Sequence, residues 1–483
     1  MTNGLVIRLS RICLYIFFLL QGSLTGFTQS LTLTKDQMRE DLDSLIQTIV
    51  RVSPHIAIKK DLWKYDAIRE MKAQRKRIDT ITSDLSFYIL LQQTLNLSQD
   101  MHTSTWYPLS AWAKTQDDAY WRVRNTFKMA IPNSYVDGKY IVREAFSYGK
   151  DTIPVGSEIT HLEGEPIDRY IRQHLPGRYY AYDLQWRKFY GAGFFKHFET
   201  VFRDSLTFRF TLPAHLPSAG IPKKLTMPTR EFTHYLPVGY KRRDITRVEW
   251  WEPENILYIR LTEMNADSIP FLQRELAKYK ERVKDINRII IDFRGNGGGD
   301  DTTWQSLYAA IIPAPVSYPL KISANRGIGK EKETAQLLAK YDLYSLVDKT
   351  ETLEPSEVSL RFTGKIFILF EDHYSSTGSA MIIPNARPDD NLISVGRKTG
   401  YFLGVGYAPL IFTLPHTQLK YRVAPSIETT GATRAADLMH DRLEIEVPYD
   451  VRDFKATEGY TGKLSDKAYL LQYDPFIRVV MKY

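Results

Sequence analysis

The chain has 483 residues, of which 43% are hydrophobic and 25% are charged, and its formal net charge is +8. This composition excludes a disordered or fibrous protein and predicts a globular protein of about three domains. The lysines and arginines are spread along the chain, so they predict a solvated surface and no nucleic-acid partner.

The first residues follow the order of a secretory signal peptide. Arg8 and Arg11 precede an apolar run from Ile12 to Leu20, and small and polar residues follow the run. The run is too short to span a bilayer, and no longer apolar run comes after it. We therefore expect residues 1–29 to be a signal peptide. The mature protein is then expected in the periplasm or the extracellular space, without an integral membrane span. Whether it associates with an envelope is a question that the sequence leaves open.

The single cysteine, Cys13, lies inside this leader. The mature protein is therefore expected to contain no cysteine, which excludes disulfides, a cysteine nucleophile and a thiolate metal site.

Residues 30–125 carry helical patterns and predict an N-terminal helical domain. One helix is expected to begin after Thr34 and to end before Pro54, and another to begin after Ser83. The apolar positions predicted to face inward on these two helices are Met38, Leu42, Leu45, Ile46, Ile49, Leu85, Ile89 and Leu95.

Residues 126–240 change to short strands and turns, and predict a small β-rich module. In "IPVGSEITHLEGEPIDRYI", Gly156 precedes an alternating strand, and Gly164 marks a turn before a short helix.

Residues 241–483 have an α/β pattern. The continuous apolar strands "ILYIRLTEM", "RIIIDF" and "GKIFILF" alternate with helical segments such as "PFLQRELAKYKERVKD", which predicts a sheet covered on both faces. Polar turns at 292–301 and 371–379 follow two of these strands, and function gathers at the carboxyl ends of strands in such sheets.

The first polar turn, "DFRGNGGGDD", is glycine-rich. Its backbone N–H groups can form a nest for a developing negative charge. A phosphate loop is excluded because the Gly-Lys-Ser/Thr ending is missing and Asp300 and Asp301 would repel a phosphate. The glycine spacing also excludes a dinucleotide fingerprint, so an oxyanion loop and a plain tight turn remain as alternatives.

The second polar turn, in "FILFEDHYSSTGSAM", holds Ser375 and Ser376. A serine on a turn between a strand and a helix can be presented as a nucleophile. The alternative is that the two serines only cap a helix.

These segments resemble the S41 peptidase family, the tail-specific or C-terminal processing serine proteases. The resemblance rests on "DFRGNGGG", "FEDHYSSTGSAM" and "ISVGRKTGYFLG", in that order. "LNLSQDMHTSTW" is similar to the family's Asp-x-His-Thr segment, and "VGSEITHLEGEPIDRYI" to its PDZ-like domain. The resemblance implies an α/β fold: a ClpP/crotonase-like core with an N-terminal helical domain and a PDZ-like β-rich module.

The resemblance also implies site residues. Ser375 corresponds to the nucleophile, with Ser376 in reserve, and the backbone N–H groups of Ser376 and Gly298 correspond to the oxyanion hole. The position of the lysine in the lysine branch of the family reads Phe402, so His102 is expected to be the base, as in the tricorn-like histidine branch.

The acid that would orient the histidine departs from the family's pattern. The glutamate position reads near Arg434, and the closest carboxylates are Asp437 and Asp441, of which we take Asp437 as the candidate. Gly378 also stands where many relatives carry glutamate.

The sequence therefore predicts an exported serine-type endopeptidase that acts on peptides or protein C-termini and needs no metal or organic cofactor. It does not determine the oligomeric state. The alternative is an S41-like peptide-binding protein with impaired catalysis, which the altered acid position favours. A crotonase-like acyl-CoA enzyme is less favoured, because CoA thioesters are cytosolic metabolites.

Overall fold

The structure is a computed structural model, and it is of mixed α/β class, as the sequence predicts. Within its described part, no helix is long and apolar enough to cross a membrane. The described residues are 32–100, 102–105, 131, 133–143, 145–148, 150–174, 180–183, 186–191, 205–214, 221–228, 245–296, 298–325, 340–370, 380, 382–386, 391–397, 409–438, 443–448, 451, 453 and 465–483.

Four helices open the described chain, and the sequence predicts the first and the last of them well. They are α1 (Lys35–Val52), α2 (His55–Leu62), α3 (Ala67–Ala73) and α4 (Asp84–Asn96), with a 3₁₀ helix over Gln74–Thr80. Thr34 caps α1 in a capping box with Gln37, and Ser83 caps α4. The predicted inward residues of α1 and Leu95 are buried, whereas the side chains of Leu85 and Ile89 lie outside the described part.

The core of these helices is completed by the far end of the chain. Leu414, Tyr421 and Val423 pack into the same buried cluster. A three-stranded antiparallel sheet brings them there, formed by β1 (Ser104–Thr105), β20 (Lys420–Val423) and β19 (Leu410–Thr413). β1 lies in a stretch predicted to be helical. A two-residue strand is stabilised by its distant partner, so no local sequence pattern indicates it.

The middle of the chain forms an antiparallel sheet in the order β11-β10-β6-β3-β2. Gly156 and Gly164 have positive φ (80° and 83°), which confirms the predicted turns before the strand Glu158–Leu162 and before the helix Ile167–His174. The elements of this part are β2 (Asn133–Val136), β3 (Lys139–Val142), β4 (Phe146–Tyr148), β5 (Asp151–Ile153), β6 (Glu158–Leu162), β7 (Glu165–Pro166), α5 (Ile167–His174), β8 (Tyr180–Asp183), β9 (Lys188–Gly191), β10 (Ser205–Thr211) and β11 (Pro222–Pro228).

The last part is built on a six-stranded sheet in the order β12-β13-β14-β17-β18-β22, in which only the β12–β13 pair is antiparallel. Separate buried clusters cover its two faces, which confirms the prediction of a doubly covered sheet. Its strands are β12 (Arg247–Trp251), β13 (Ile256–Arg260), β14 (Arg288–Asp292), β17 (Ile366–Leu369), β18 (Leu392–Gly396) and β22 (Ile445–Glu446).

The remaining elements flank this sheet: α6 (Ile269–Ala277), α7 (Asp301–Ala309), α8 (Ile382–Ala386), α9 (Lys467–Tyr473), α10 (Pro475–Val480), and a separate antiparallel sheet of β15 (Val316–Asn325), β16 (Leu343–Leu353) and β21 (Ser426–Glu428). The helix predicted from residue 270 to 285 ends earlier, at Ala277, and Lys280–Asp285 is a 3₁₀ helix. Between them the Tyr279 ring stacks on Trp250 at 5.7 Å between centroids, so packing against β12 replaces continued α-helix.

Strands β14 and β17 are parallel neighbours, with Asp292 opposite Leu369. The Phe293 N–H extends the pairing by donating to the Leu369 carbonyl at 3.1 Å. The turns that follow these two strands therefore open at the same edge of the sheet, where the sequence predicts function.

Candidate functional site

The glycine loop after β14 is held closed by a buried side chain. Asn296 is fully buried; its Nδ2 donates to the Leu261 carbonyl at 2.9 Å, and its Oδ1 accepts the Gly298 N–H at 2.8 Å. The Met264 N–H donates to the Gly298 carbonyl at 3.1 Å. A Cβ at Gly299, where φ is 142°, would lie 2.0 Å from the Met264 carbonyl oxygen, so only glycine fits there.

This geometry bears on the predicted oxyanion hole. The N–H of Gly298, one of the two expected donors, is already hydrogen-bonded to Asn296. An oxyanion could be held by this group only if that bond were exchanged. The other expected donor, Ser376, and the neighbouring Gly297 lie outside the described residues.

A buried charge network fixes the end of β14 where the loop begins. The Asp292 carboxylate accepts hydrogen bonds from Tyr258 Oη at 2.8 Å, Arg260 Nη1 at 2.7 Å and Arg294 Nε at 2.9 Å. Burial raises the pKa of Asp292, but the attraction of both arginines outweighs it and holds that pKa far below its ordinary value. Arg294 Nη1 also donates to Asp474, the N-cap of α10, at 2.7 Å. The loop therefore starts from a rigid point.

The segment with the candidate serines, residues 371–379, lies outside the described part, but both of its ends are fixed. At one end, the Phe370 N–H donates to the Val395 carbonyl at 2.9 Å, and the Phe370 ring contacts Phe293 with centroids 5.6 Å apart. At the other end, the Ala380 carbonyl accepts from Tyr308 Oη of α7 at 2.9 Å. Phe293 immediately precedes the glycine loop, and Tyr308 lies near the end of the helix that follows it, so the segment starts beside the loop and ends on α7.

His102 lies on a short segment that a turn and a strand hold in place. The His102 N–H donates to Asp100 Oδ1 at 3.1 Å, and Thr103 Oγ1 donates to Asp100 Oδ2 at 2.6 Å. The Ala424 N–H in turn donates to Thr103 Oγ1 at 3.3 Å, next to the β1–β20 pairing. The Nδ1 atom of the His102 ring is buried and has no hydrogen-bond partner among the described residues.

A buried cluster of titratable groups stands behind this segment. Lys59 and His55, on α2, are each 1% exposed. Lys59 Nζ donates to the carbonyls of Ser98, at 3.3 Å, and Gln99. Burial lowers the pKa of Lys59 to about 8, although the attraction of Asp100 opposes this, and burial lowers the pKa of His55 to about 4. His55 is therefore neutral at neutral pH, and Lys59 carries the balancing charge.

Asp100 is the anion of the cluster. Burial raises its pKa, but the nearby His55 and Lys59 and the hydrogen bond from Thr103 lower it to about 2. The sequence alone predicts no role for these groups. The Asp-to-Thr spacing in "DMHT" is a signal for the turn at Asp100, whereas two titratable residues four apart in "HIAIKKDL" are the only local sign of the buried pair on α2.

Asp437, the candidate acid, is bound to its own turn. It lies in a 3₁₀ helix over Ala435–Leu438 and accepts hydrogen bonds from Thr433 Oγ1 at 3.0 Å and Arg434 Nε at 2.9 Å. Burial raises its pKa, but these hydrogen bonds lower it to about 2. Its carboxylate therefore acts on Arg434 and Thr433, and its role toward His102 stays a prediction; Asp441 lies outside the described residues.

Residues 255–435 match peptidase family S41. These residues belong to the S41 family. The S41 region runs from β13 through the glycine loop and residues 371–379 to the turn before Asp437. The match places residues 255–435 in a family of serine peptidases, a class of hydrolases. No curated protein sequence matches the chain.

Two solved structures of CPAF share the fold of this chain. The crystal structure of mature CPAF is 12% identical, with a TM-score of 0.55, over 87% of this chain and 94% of that one. Mature CPAF complexed with lactacystin is 12% identical, with a TM-score of 0.58, over 93% and 98% of the two chains. The photosystem II D1 C-terminal processing protease is 10% identical, with a TM-score of 0.43, over 89% and 99%.

Proposed function

We propose that the protein is an exported serine-type endopeptidase that cleaves peptides or protein C-termini. One observation carries this proposal: in a region of S41 sequence, the serine segment is bracketed by Phe370, which packs on Phe293 just before the glycine loop, and by Ala380, which is bound to the helix that follows the loop. A nucleophile on that segment would face the loop that supports the developing negative charge. Ser375 is the proposed nucleophile, and Ser376 is the reserve.

The proposed reaction is an acyl transfer. The Ser375 hydroxyl attacks the scissile carbonyl while His102 takes its proton, and His102 then gives the proton to the leaving amine. The oxyanion is held by the backbone N–H groups of Ser376 and Gly298, the latter exchanging its bond to Asn296 for the new one. Water then hydrolyses the acyl-enzyme by the reverse proton transfers.

The domain roles belong to the same proposal. Residues 1–29 direct export, residues 30–125 form the helical domain that presents His102, and residues 241–483 form the ClpP/crotonase-like core. Residues 126–240 form the PDZ-like module, which would hold a peptide by strand addition. The antiparallel sheet with α5 beside it supports this assignment of the module, because its outer strands β2 and β11 offer edges among the described strands.

A second candidate is a peptide-binding protein that keeps this scaffold without catalysis. Three observations favour it: Nδ1 of His102 has no partner among the described residues, Asp437 is bound within its own turn, and the Gly298 N–H is bound to Asn296. A histidine without a fixed tautomer is a poor general base.

A fluorophosphonate probe on the mature protein decides between the two candidates. The peptidase proposal expects covalent labelling that is lost in Ser375→Ala and kept in Ser376→Ala, with His102→Ala slowing labelling about a hundredfold or more. The reverse pattern for the two serines would assign Ser376 as the nucleophile. Peptide binding without any labelling would support the binding protein.

A further inference from the structure

A cleft of about 770 Å³ lies between the helical N-terminal part and the antiparallel sheet of the middle part. We call it the basic cleft. Pockets for small-molecule ligands have volumes of about 300–1,000 Å³, so the cleft has room for a few residues of a peptide. One wall is formed by residues 63–66, 69, 70, 74, 77, 93 and 97, and the other by residues 168, 169, 172, 173, 187 and 188.

The basic cleft concentrates positive charge. Seven lysines and arginines line it, against three aspartates and glutamates. This surplus of four equals half of the formal net charge of +8 of the whole chain. Like charges that line a concave surface focus the electric field and attract ions of opposite charge. The cleft is therefore suited to an anionic ligand.

The surplus of four already counts the three carboxylates of the cleft, each of which binds a cation. The pairs are Glu70 with Arg69 at 2.9 Å, Asp168 with Lys188 at 2.9 Å, and Asp66 with Lys60 at 2.6 Å. Lys60 lies outside the lining, so the carboxylates of the cleft engage only Arg69 and Lys188 among its own cations.

Three cations of the basic cleft form no ion pair among the residues that the structure describes: Lys64, Arg172 and Arg187. Lys64 does attract the Asp61 carboxylate, but that carboxylate is bound to Lys340. Lys64 comes from the helical wall, and both arginines come from the opposite wall, on α5 and on the turn between β8 and β9. A guanidinium binds a carboxylate with two parallel hydrogen bonds. Cations on both walls can hold an extended anionic chain between them.

We propose that the basic cleft binds acidic segments of polypeptide substrates, with aspartate, glutamate or C-terminal carboxylates on Lys64, Arg172 and Arg187. This inference rests on the proposed function and adds the substrate class. Leu97 lines the cleft and lies shortly before His102 in the same tightly held segment. A substrate anchored by an acidic segment in the cleft is thus tethered to the helical part that carries His102, the proposed base, which raises the local concentration of the bond to be cleaved.

The test is peptide binding by the mature Ser375→Ala protein, measured by fluorescence anisotropy at low salt. The probes are two labelled heptapeptides, one of alternating glutamate and alanine and one with glutamine in place of every glutamate. We expect the acidic peptide to bind at least tenfold more tightly, with a preference that falls as salt is added.

Variants locate the binding. Arg172→Glu/Arg187→Glu should lower the affinity for the acidic peptide at least tenfold, and Lys64→Gln, from the opposite wall, should lower it about threefold. The matched control is Lys284→Glu/Lys482→Glu, which makes the same change in net charge at exposed residues outside the cleft and should change affinity less than twofold.

The proposal is overturned if both peptides bind equally, if neither binds, or if the control variant loses as much affinity as the cleft variant. The readout does not depend on cleavage, so it separates the two proposals. Fluorophosphonate labelling without acidic-peptide preference refutes the basic cleft alone, and acidic-peptide preference without labelling refutes the peptidase alone.

Discussion

Replacing Lys59 with methionine removes the cation of the buried cluster behind His102 while keeping an unbranched side chain. The change leaves the Ser98 and Gln99 carbonyls without their donor, which costs about 1–3 kcal/mol for each buried acceptor. It also removes a desolvated ammonium, a gain of about 3 kcal/mol because the pKa of Lys59 falls from 10.5 to about 8. Because this shift already includes the attraction of Asp100, the loss and the gain together leave a net destabilisation of at most about 3 kcal/mol at pH 7.

The pH dependence is the sharper part of this prediction. The pKa of Lys59 is lower in the folded protein than in the unfolded chain, so between pH 8 and 10.5 the unfolded state binds more protons. Lys59 therefore adds stability to the wild type as pH rises through that window, up to about 3 kcal/mol. The methionine variant lacks this contribution, so its deficit relative to the wild type should grow with pH.

Urea unfolding at pH 7 and pH 10, followed by circular dichroism, measures both quantities. Lys60→Met is the matched control, because Lys60 is the next residue and its exposed side chain pairs with Asp66 at the surface. It should change stability by no more than about 1 kcal/mol, with no added pH dependence. The reasoning is refuted if the two variants behave alike, or if the deficit of Lys59→Met stays constant between the two pH values.

Three further outcomes follow from the structure. Gly299→Ala should lower the free energy of unfolding, measured by thermal unfolding, by at least about 2 kcal/mol more than Gly164→Ala. Both glycines have positive φ, but only at Gly299 would a Cβ clash with the Met264 carbonyl. Equal losses of stability in the two variants would contradict the clash. Asp292→Asn should lower the free energy of unfolding in urea by about 3–5 kcal/mol, because two buried arginines lose the carboxylate that balances their charge. A loss under about 1 kcal/mol would show that the arginines find another partner. As pH falls below about 4, the wild type should lose stability, because the pKa values of Asp100 and Asp292 are lower in the folded state than in the unfolded chain. In an acid titration, Asp292→Asn should lose less stability than the wild type. An identical loss would exclude the Asp292 carboxylate as a cause.

The parts of the fold that the sequence predicts are those with local causes. Helix α1 begins where Thr34 forms a capping box and ends before Pro54, and its buried face follows the 3.6-residue spacing. The strand that ends at Asp292 was recognised from its continuous apolar run, since both of its faces are covered. The glycines of the following loop mark the close approach to Met264, which a local pattern can also indicate.

The environment of the candidate site depends on residues far apart in sequence, and local patterns do not contain it. Nothing in the sequence around His102 indicates that Lys59 stands behind it or that Ala424 holds its neighbour Thr103. The bond from Asn296 to the Gly298 N–H is local, but a glycine-rich pattern does not specify which N–H is already occupied.

The pairing of β1 with β20 has a consequence for the timing of synthesis. Thr103 and its partner Ala424 are 321 residues apart in the chain, and Ser104 and Arg422 are 318 residues apart. A ribosome must therefore deliver nearly the whole polypeptide before the His102 segment gains its supporting strand. A growing or truncated polypeptide lacks this support, so the segment with His102, the proposed base, is positioned only when translation is almost complete.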